Sequence, residues 1–136
     1  MKPGSNTMLK FAFILGAVVD GTIAISWFLI ASGLRIPNIL NGHVGTGEDY
    51  QLAIFIGAMF MTGWAVLLAW GAMNPVERRG LLLITSGFLL LSVIMEAAFF
   101  SDILGGIGFI LGVSKRIFLS TLFIITYTYS FRDKDT

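Results

Sequence analysis

Four long apolar runs, separated by short clusters of turn-forming and charged residues, make up almost the whole of this chain. The run "LKFAFILGAVVDGTIAISWFLIASGL" predicts a helix over about residues 9–34. Pro37, Asn38, Asn41, Gly42, Gly45 and Gly47 then mark a loop. A second helix is predicted over about 50–73, "YQLAIFIGAMFMTGWAVLLAWGAM". The "NPVERRG" that follows reads as a tight turn and a helix start. Asn74 suits the N-cap, Pro75 the first helical position, and Glu77 lies three residues after the cap. That places a third helix over about 75–100. Ser101 and Asp102 can cap a fourth, over about 103–130. The runs are too uniformly apolar for a soluble bundle, whose helices keep a polar face.

The stretch "GFILGVSKRIFLSTLF", residues 108–123, carries Lys115 and Arg116 in the middle of apolar surroundings. A re-entrant segment over 103–113 would leave about 14 residues for a helix from Arg116 to the polar end at Ser130, short of the roughly 20 that a span needs. One long helix is the better reading. It buries Lys115 roughly 18 Å along the axis, near the middle of a hydrocarbon core.

Composition agrees. Of 136 residues, 56% are hydrophobic and only 12% charged, about half the share usual in soluble domains. The fold class expected is therefore all-α, an integral membrane bundle of four transmembrane helices in one domain. A net charge of +1 gives no electrostatic case for nucleic acid. The absence of cysteine removes disulfides, thiol catalysis and Cys-ligated metal sites. The first run resembles a signal peptide, with Lys2 and Lys10 before it and a small-x-small site at Ala31 and Gly33. Its apolar stretch from Phe11 to Ile30 exceeds the usual h-region of roughly 7–15 residues, and Asp20 sits inside it, so a retained helix is expected.

Lys2, Lys10, Arg78, Arg79, Arg132 and Lys134 fall on one side of such a bundle and Arg35 on the other, which predicts cytoplasmic termini in a cell membrane of prokaryotic type. Trp27, Trp70, Tyr127 and Tyr129 fall near helix ends, as an aromatic belt requires. Arg78 and Arg79 then act as topology determinants at headgroup level.

Two adjacent cations inside a membrane need partners, since a lone one costs at least about 2.5–3.5 kcal/mol. Asp20 in helix 1, Glu96 in helix 3 and Asp102 at its boundary supply acids. We expect Asp20 and Glu96 to pair with Lys115 and Arg116. Gly105, Gly108 and Gly112 share the face of Lys115 and suit close helix packing, while Thr85, Ser92 and Glu96 share a face of helix 3. His43, Glu48 and Asp49 read as a solvated loop and not as a metal site, and one His cannot form a bis-His haem site. No metal or cofactor is expected. Trp64, Met59, Met61 and Met73 are expected to pack the bundle or meet lipid.

Three functions fit. One is an accessory or scaffold protein, acting through a membrane-protein partner or as a homo-oligomer. Another is a small oligomeric transporter with a coupling carboxylate at Asp20 or Glu96. The third is a membrane enzyme acting on a lipid-like substrate in a bundle cavity. A packed, sealed charge cluster would favour the scaffold, and a cavity of a few hundred Å³ reaching the charges would favour a substrate site.

The unit "GWAVLLAWGAMNPVERRGLLLIT", residues 63–85, resembles hairpins of the DoxX-like group of small four-helix bacterial membrane proteins. That resemblance implies a four-helix bundle and carries over no functional residue. "GAVVDGTIAI" around Asp20 is similar in placement to the first helix of small multidrug resistance transporters, which carries a membrane-embedded Glu. The acid here is Asp, and the Lys–Arg pair in helix 4 departs from that pattern.

Overall fold

The computed structural model describes residues 3–36 and 45–132. The described residues form four helices: α1 (Pro3–Ala31), α2 (Glu48–Gly71), α3 (Gly80–Phe99) and α4 (Gly106–Arg132). All four are long and apolar enough to cross a membrane. The described residues are thus all-helical, as the four apolar runs predict, and their architecture fits an integral membrane protein.

The helix ends differ from the expected ones for identifiable reasons. α1 starts at Pro3 and stops at Ala31, not at residue 34. Gly33 takes φ 91°, Leu34 N–H donates to Leu29 O at 3.1 Å and Gly33 N–H to Ile30 O at 2.9 Å. This is a Schellman ending, which needs a residue free to adopt the left-handed conformation. α2 begins two residues early at Glu48, where Glu48 and Asp49 favour the positive end of the helix dipole. The turn after α2 runs to Arg79, so Asn74 and Pro75 do not start α3. Asn74 donates instead to the Glu77 side chain, which closes the turn on itself. Arg78 stacks over Trp70 at 3.4 Å, and Arg79 over Phe131 at 3.6 Å. α4 begins at Gly106, with φ 75°, and not at residue 103. Ser101 and Asp102 are exposed in a turn and cap no helix. Lys115 consequently lies about 14 Å along α4, a third of its length and not half.

α1 packs on α2 and α4, and α3 packs on α4, whereas the chain neighbours α2 and α3 share little direct packing. The solid core fills the end of the bundle that holds the 72–79 turn. There Leu9 and Phe13 of α1, Leu68 of α2, Leu82 of α3, and Leu119 and Phe123 of α4 close on one another. Glycines set the spacing. A Cβ on Gly16 would lie 2.9 Å from Phe123 Cζ and 3.0 Å from Leu68 Cδ1, and one on Gly71 would strike the Phe13 ring. Ser86 and Ser120, each 1% exposed, join α3 to α4 through hydroxyls 2.6 Å apart. Each hydroxyl also lies within hydrogen-bond reach of the other's carbonyl, at 3.2–3.3 Å, so one donates across the pair and the other to a carbonyl. A hydroxyl in an apolar bundle has few other partners, so this pair pins the register of the two helices.

Candidate functional site: a charged cavity in the bundle

The other half of the bundle opens into a pocket. A cavity of about 610 Å³ is lined by all four helices. α1 contributes Asp20, Ile23 and Trp27, and α2 Gly57, Phe60, Met61 and Trp64. α3 contributes Thr85, Phe88, Leu89, Ser92 and Glu96, and α4 Lys115, Arg116 and Leu119. Helical geometry explains the set. Thr85, Ser92 and Glu96 fall at steps of seven and four, and Phe60 and Trp64 at a step of four, so each group shares one face. Gly57 lets α1 come close: a Cβ there would stand 3.0 Å from the Trp27 ring.

The four expected charges meet at this cavity, but they pair unequally. Arg116, 8% exposed, is held at all three of its nitrogens. Its Nη2 donates to Glu96 Oε2 at 2.5 Å, Nη1 to Ser92 Oγ at 3.0 Å, and Nε to Gly112 O at 3.2 Å. Glu96–Arg116 is therefore a closed ion pair. Asp20, 8% exposed, and Lys115 line the cavity together and act on each other through space. They form no direct ion pair, and neither has a hydrogen-bond partner among the described residues. Of the two pairings expected among these four charges, one forms as an ion pair, and Asp20 and Lys115 are left without one.

The remaining polar atoms are mostly committed. Ser92 Oγ donates to Leu89 O at 2.8 Å while accepting from Arg116. Thr85 Oγ1 donates to Leu81 O at 2.7 Å while accepting from Trp64 Nε1 at 3.1 Å. Trp27 Nε1 is buried without a hydrogen-bond partner among the described residues. The cavity-lining polar groups with no hydrogen-bond partner among the described residues are Asp20, Lys115 and the Trp27 N–H, set among Trp and Phe rings.

The cavity has a rim. Phe60 of α2 is 77% exposed and Phe88 of α3 is 63% exposed, on the sparsely packed side of the bundle. Trp64 crosses that seam through its bond to Thr85 and an edge-to-face contact with Phe88 at 6.4 Å.

Other expected site residues lie elsewhere. Asp102 is exposed in the turn before α4 and lines no part of the cavity. Gly105 precedes α4, and a Cβ there would meet nothing within 4 Å, so it packs against no helix. Gly108 is half-buried in α4, and buried Gly112 serves the site through its carbonyl to Arg116. His43, Pro37, Lys2 and Lys134 lie outside the described residues, as does the Arg132 side chain. Met59 and Met73 are exposed, whereas Met61 and Trp64 line the cavity. Trp27, expected in an interfacial belt, packs inward on Gly57. Its missed role has a sequence signal: it lies seven residues after Asp20, on the same helix face.

Fold and site together define a four-helix, membrane-type bundle that is solid at one end and carries a charged, aromatic-walled pocket at the other. No family model matches the chain, and no curated protein or solved structure matches it significantly.

Proposed function

We propose that this chain is a multi-pass membrane protein that takes a lipid-soluble small molecule into its helix bundle, with Asp20 and Lys115 engaging the guest. One observation carries the reading: a cavity of about 610 Å³ receives an acid and a base that share no direct contact. Ligand pockets are of this size, mostly apolar, with a few convergent polar groups. Ionisable groups held apart inside a membrane bundle are costly, and function is the default explanation for them. An enzyme acting on a lipid-like substrate and a transporter with Asp20 as coupling carboxylate both use such a site. The cytoplasmic placement of both termini in a cell membrane belongs to the same proposal, supported by the Lys and Arg distribution.

The accessory or scaffold reading is the second one. What favours it is the Glu96–Arg116 pair, whose guanidinium also bonds Ser92 and Gly112 in the manner of a register-fixing contact.

The chain has no native cysteine, so single cysteines report on the cavity directly. Met61→Cys should react with a bilayer-soluble maleimide in membranes, and a cavity-plugging Leu89→Trp added to it should suppress the reaction. Labelling that is absent in Met61→Cys, or equally fast with Leu89→Trp, would rule out a guest-accessible pocket and leave the scaffold as the better reading.

A further inference from the structure

The charge balance of the cavity selects the kind of guest. Two acids, Asp20 and Glu96, face two bases, Lys115 and Arg116, around one apolar space. Their sum is zero. It stays zero if a proton passes from Lys115 to Asp20, because the pair loses one charge of each sign together. A guest carrying a net charge would leave that charge uncompensated among Trp27, Phe60, Trp64 and Phe88, and uncompensated charge in a low-dielectric interior is strongly penalised.

The free polar atoms add direction. Asp20 only accepts when ionised, and the Lys115 ammonium and the Trp27 N–H only donate. Arg116 is held by Glu96, Ser92 and Gly112, and the Ser92 and Thr85 hydroxyls have already donated their hydrogens. The complement is a head that presents a donor to Asp20 and an acceptor to Lys115 or Trp27. The surrounding rings call for a flat or chain-like apolar body. The rim at Phe60 and Phe88 faces outward from helices apolar enough to span a membrane, so the body arrives from the lipid side.

Resting on the proposed binding function, we propose that the cavity binds a net-uncharged amphipathic molecule whose head carries a hydrogen-bond donor beside an acceptor, such as an amide or a zwitterion. The head bridges Asp20 and Lys115, and the body lies between the α2 and α3 aromatics.

The test uses the full chain in lipid nanodiscs with Trp70→Phe. Of the three tryptophans this leaves Trp27 and Trp64, both in the cavity wall, as reporters. Three probes of matched size are titrated: 4-butylbenzamide, 4-butylbenzoate and 4-butylbenzylammonium, each corrected for its partition into the bilayer. The amide should bind saturably and about tenfold or more tighter than either ion, the ratio expected from one uncompensated charge. Asp20→Asn should move the preference to benzoate, because the cavity then carries one net positive charge. Lys115→Gln should move it to the ammonium. Saturable binding with an ion preferred in the unaltered cavity, or with an order unmoved by both substitutions, overturns the uncharged-guest inference and leaves the binding function standing. Saturable binding of none of the three overturns the inference, and if Met61→Cys also fails to label the binding function falls as well.

Discussion

Removing the acid of the Glu96–Arg116 pair should destabilise the bundle by a predictable amount. Glu96→Ala leaves Arg116, 8% exposed, with Ser92 Oγ and Gly112 O but no counter-charge within ion-pair distance among the described residues. Breaking a buried pair costs about 3–5 kcal/mol, and Glu96 is 30% exposed on its side chain, so screening puts the loss at the low end, about 3 kcal/mol. The cost of a lone Arg in a membrane helix on insertion scales, about 2.5–3.5 kcal/mol, agrees. Glu96→Gln keeps a neutral acceptor for Nη2 and should recover about 1 kcal/mol of that. Arg116→Met strands Glu96 instead. That carboxylate lies three residues from the end of α3 and can turn toward the surface, so the loss should be smaller, about 1–2 kcal/mol. The double replacement Glu96→Leu with Arg116→Met exchanges the pair for apolar side chains of similar length. It should lie within about 1 kcal/mol of the unaltered protein. The assay is equilibrium unfolding in mixed micelles with rising SDS, followed by tryptophan fluorescence. Single losses under about 0.5 kcal/mol, or a double variant as unstable as the sum of its singles, would refute the buried-pair reasoning.

Three further outcomes follow from the packing. Gly16→Ala should cost about 1–3 kcal/mol in the same assay, because its Cβ would press on Phe123 and Leu68. Gly63→Ala, where a Cβ meets nothing within 4 Å, should gain about 0.5–1 kcal/mol from helix propensity; equal effects at the two sites would dispose of the close-approach argument. Ser86→Ala should cost about 0.6 kcal/mol, the average for an interhelical hydrogen bond in a membrane bundle, and Ser120→Ala on that background little more, as measured by a double-mutant cycle. Trp64→Phe removes the bond to Thr85 that spans the α2–α3 seam and should speed maleimide labelling of Met61→Cys severalfold; an unchanged rate would show that Trp64 does not guard the opening.

Four helices, their approximate limits and their suitability for a membrane could be read from the sequence, because apolar length and composition are local properties that any membrane-type fold must respect. The meeting of Asp20, Glu96, Lys115 and Arg116 was legible for a related reason: charges in apolar helices have few places to go. Helix ends were less legible. Pro75 reads as a helix start by its residue type, but the Arg78–Trp70 and Arg79–Phe131 stacks extend the turn to Arg79, and neither stack lies within one helical turn of sequence. Who pairs with whom was decided only in three dimensions. Either cation could have taken either acid by charge alone. The rotation of α4 against α3, locked by Ser86 and Ser120, gives Arg116 to Glu96. Gly57 and Gly16 set how closely α1 approaches its neighbours, and in that packing Asp20 and Lys115 both line the pocket without forming an ion pair. A sequence shows which charges must be buried together. The separation between them, and so whether a cavity exists, depends on the packing of side chains on four different helices.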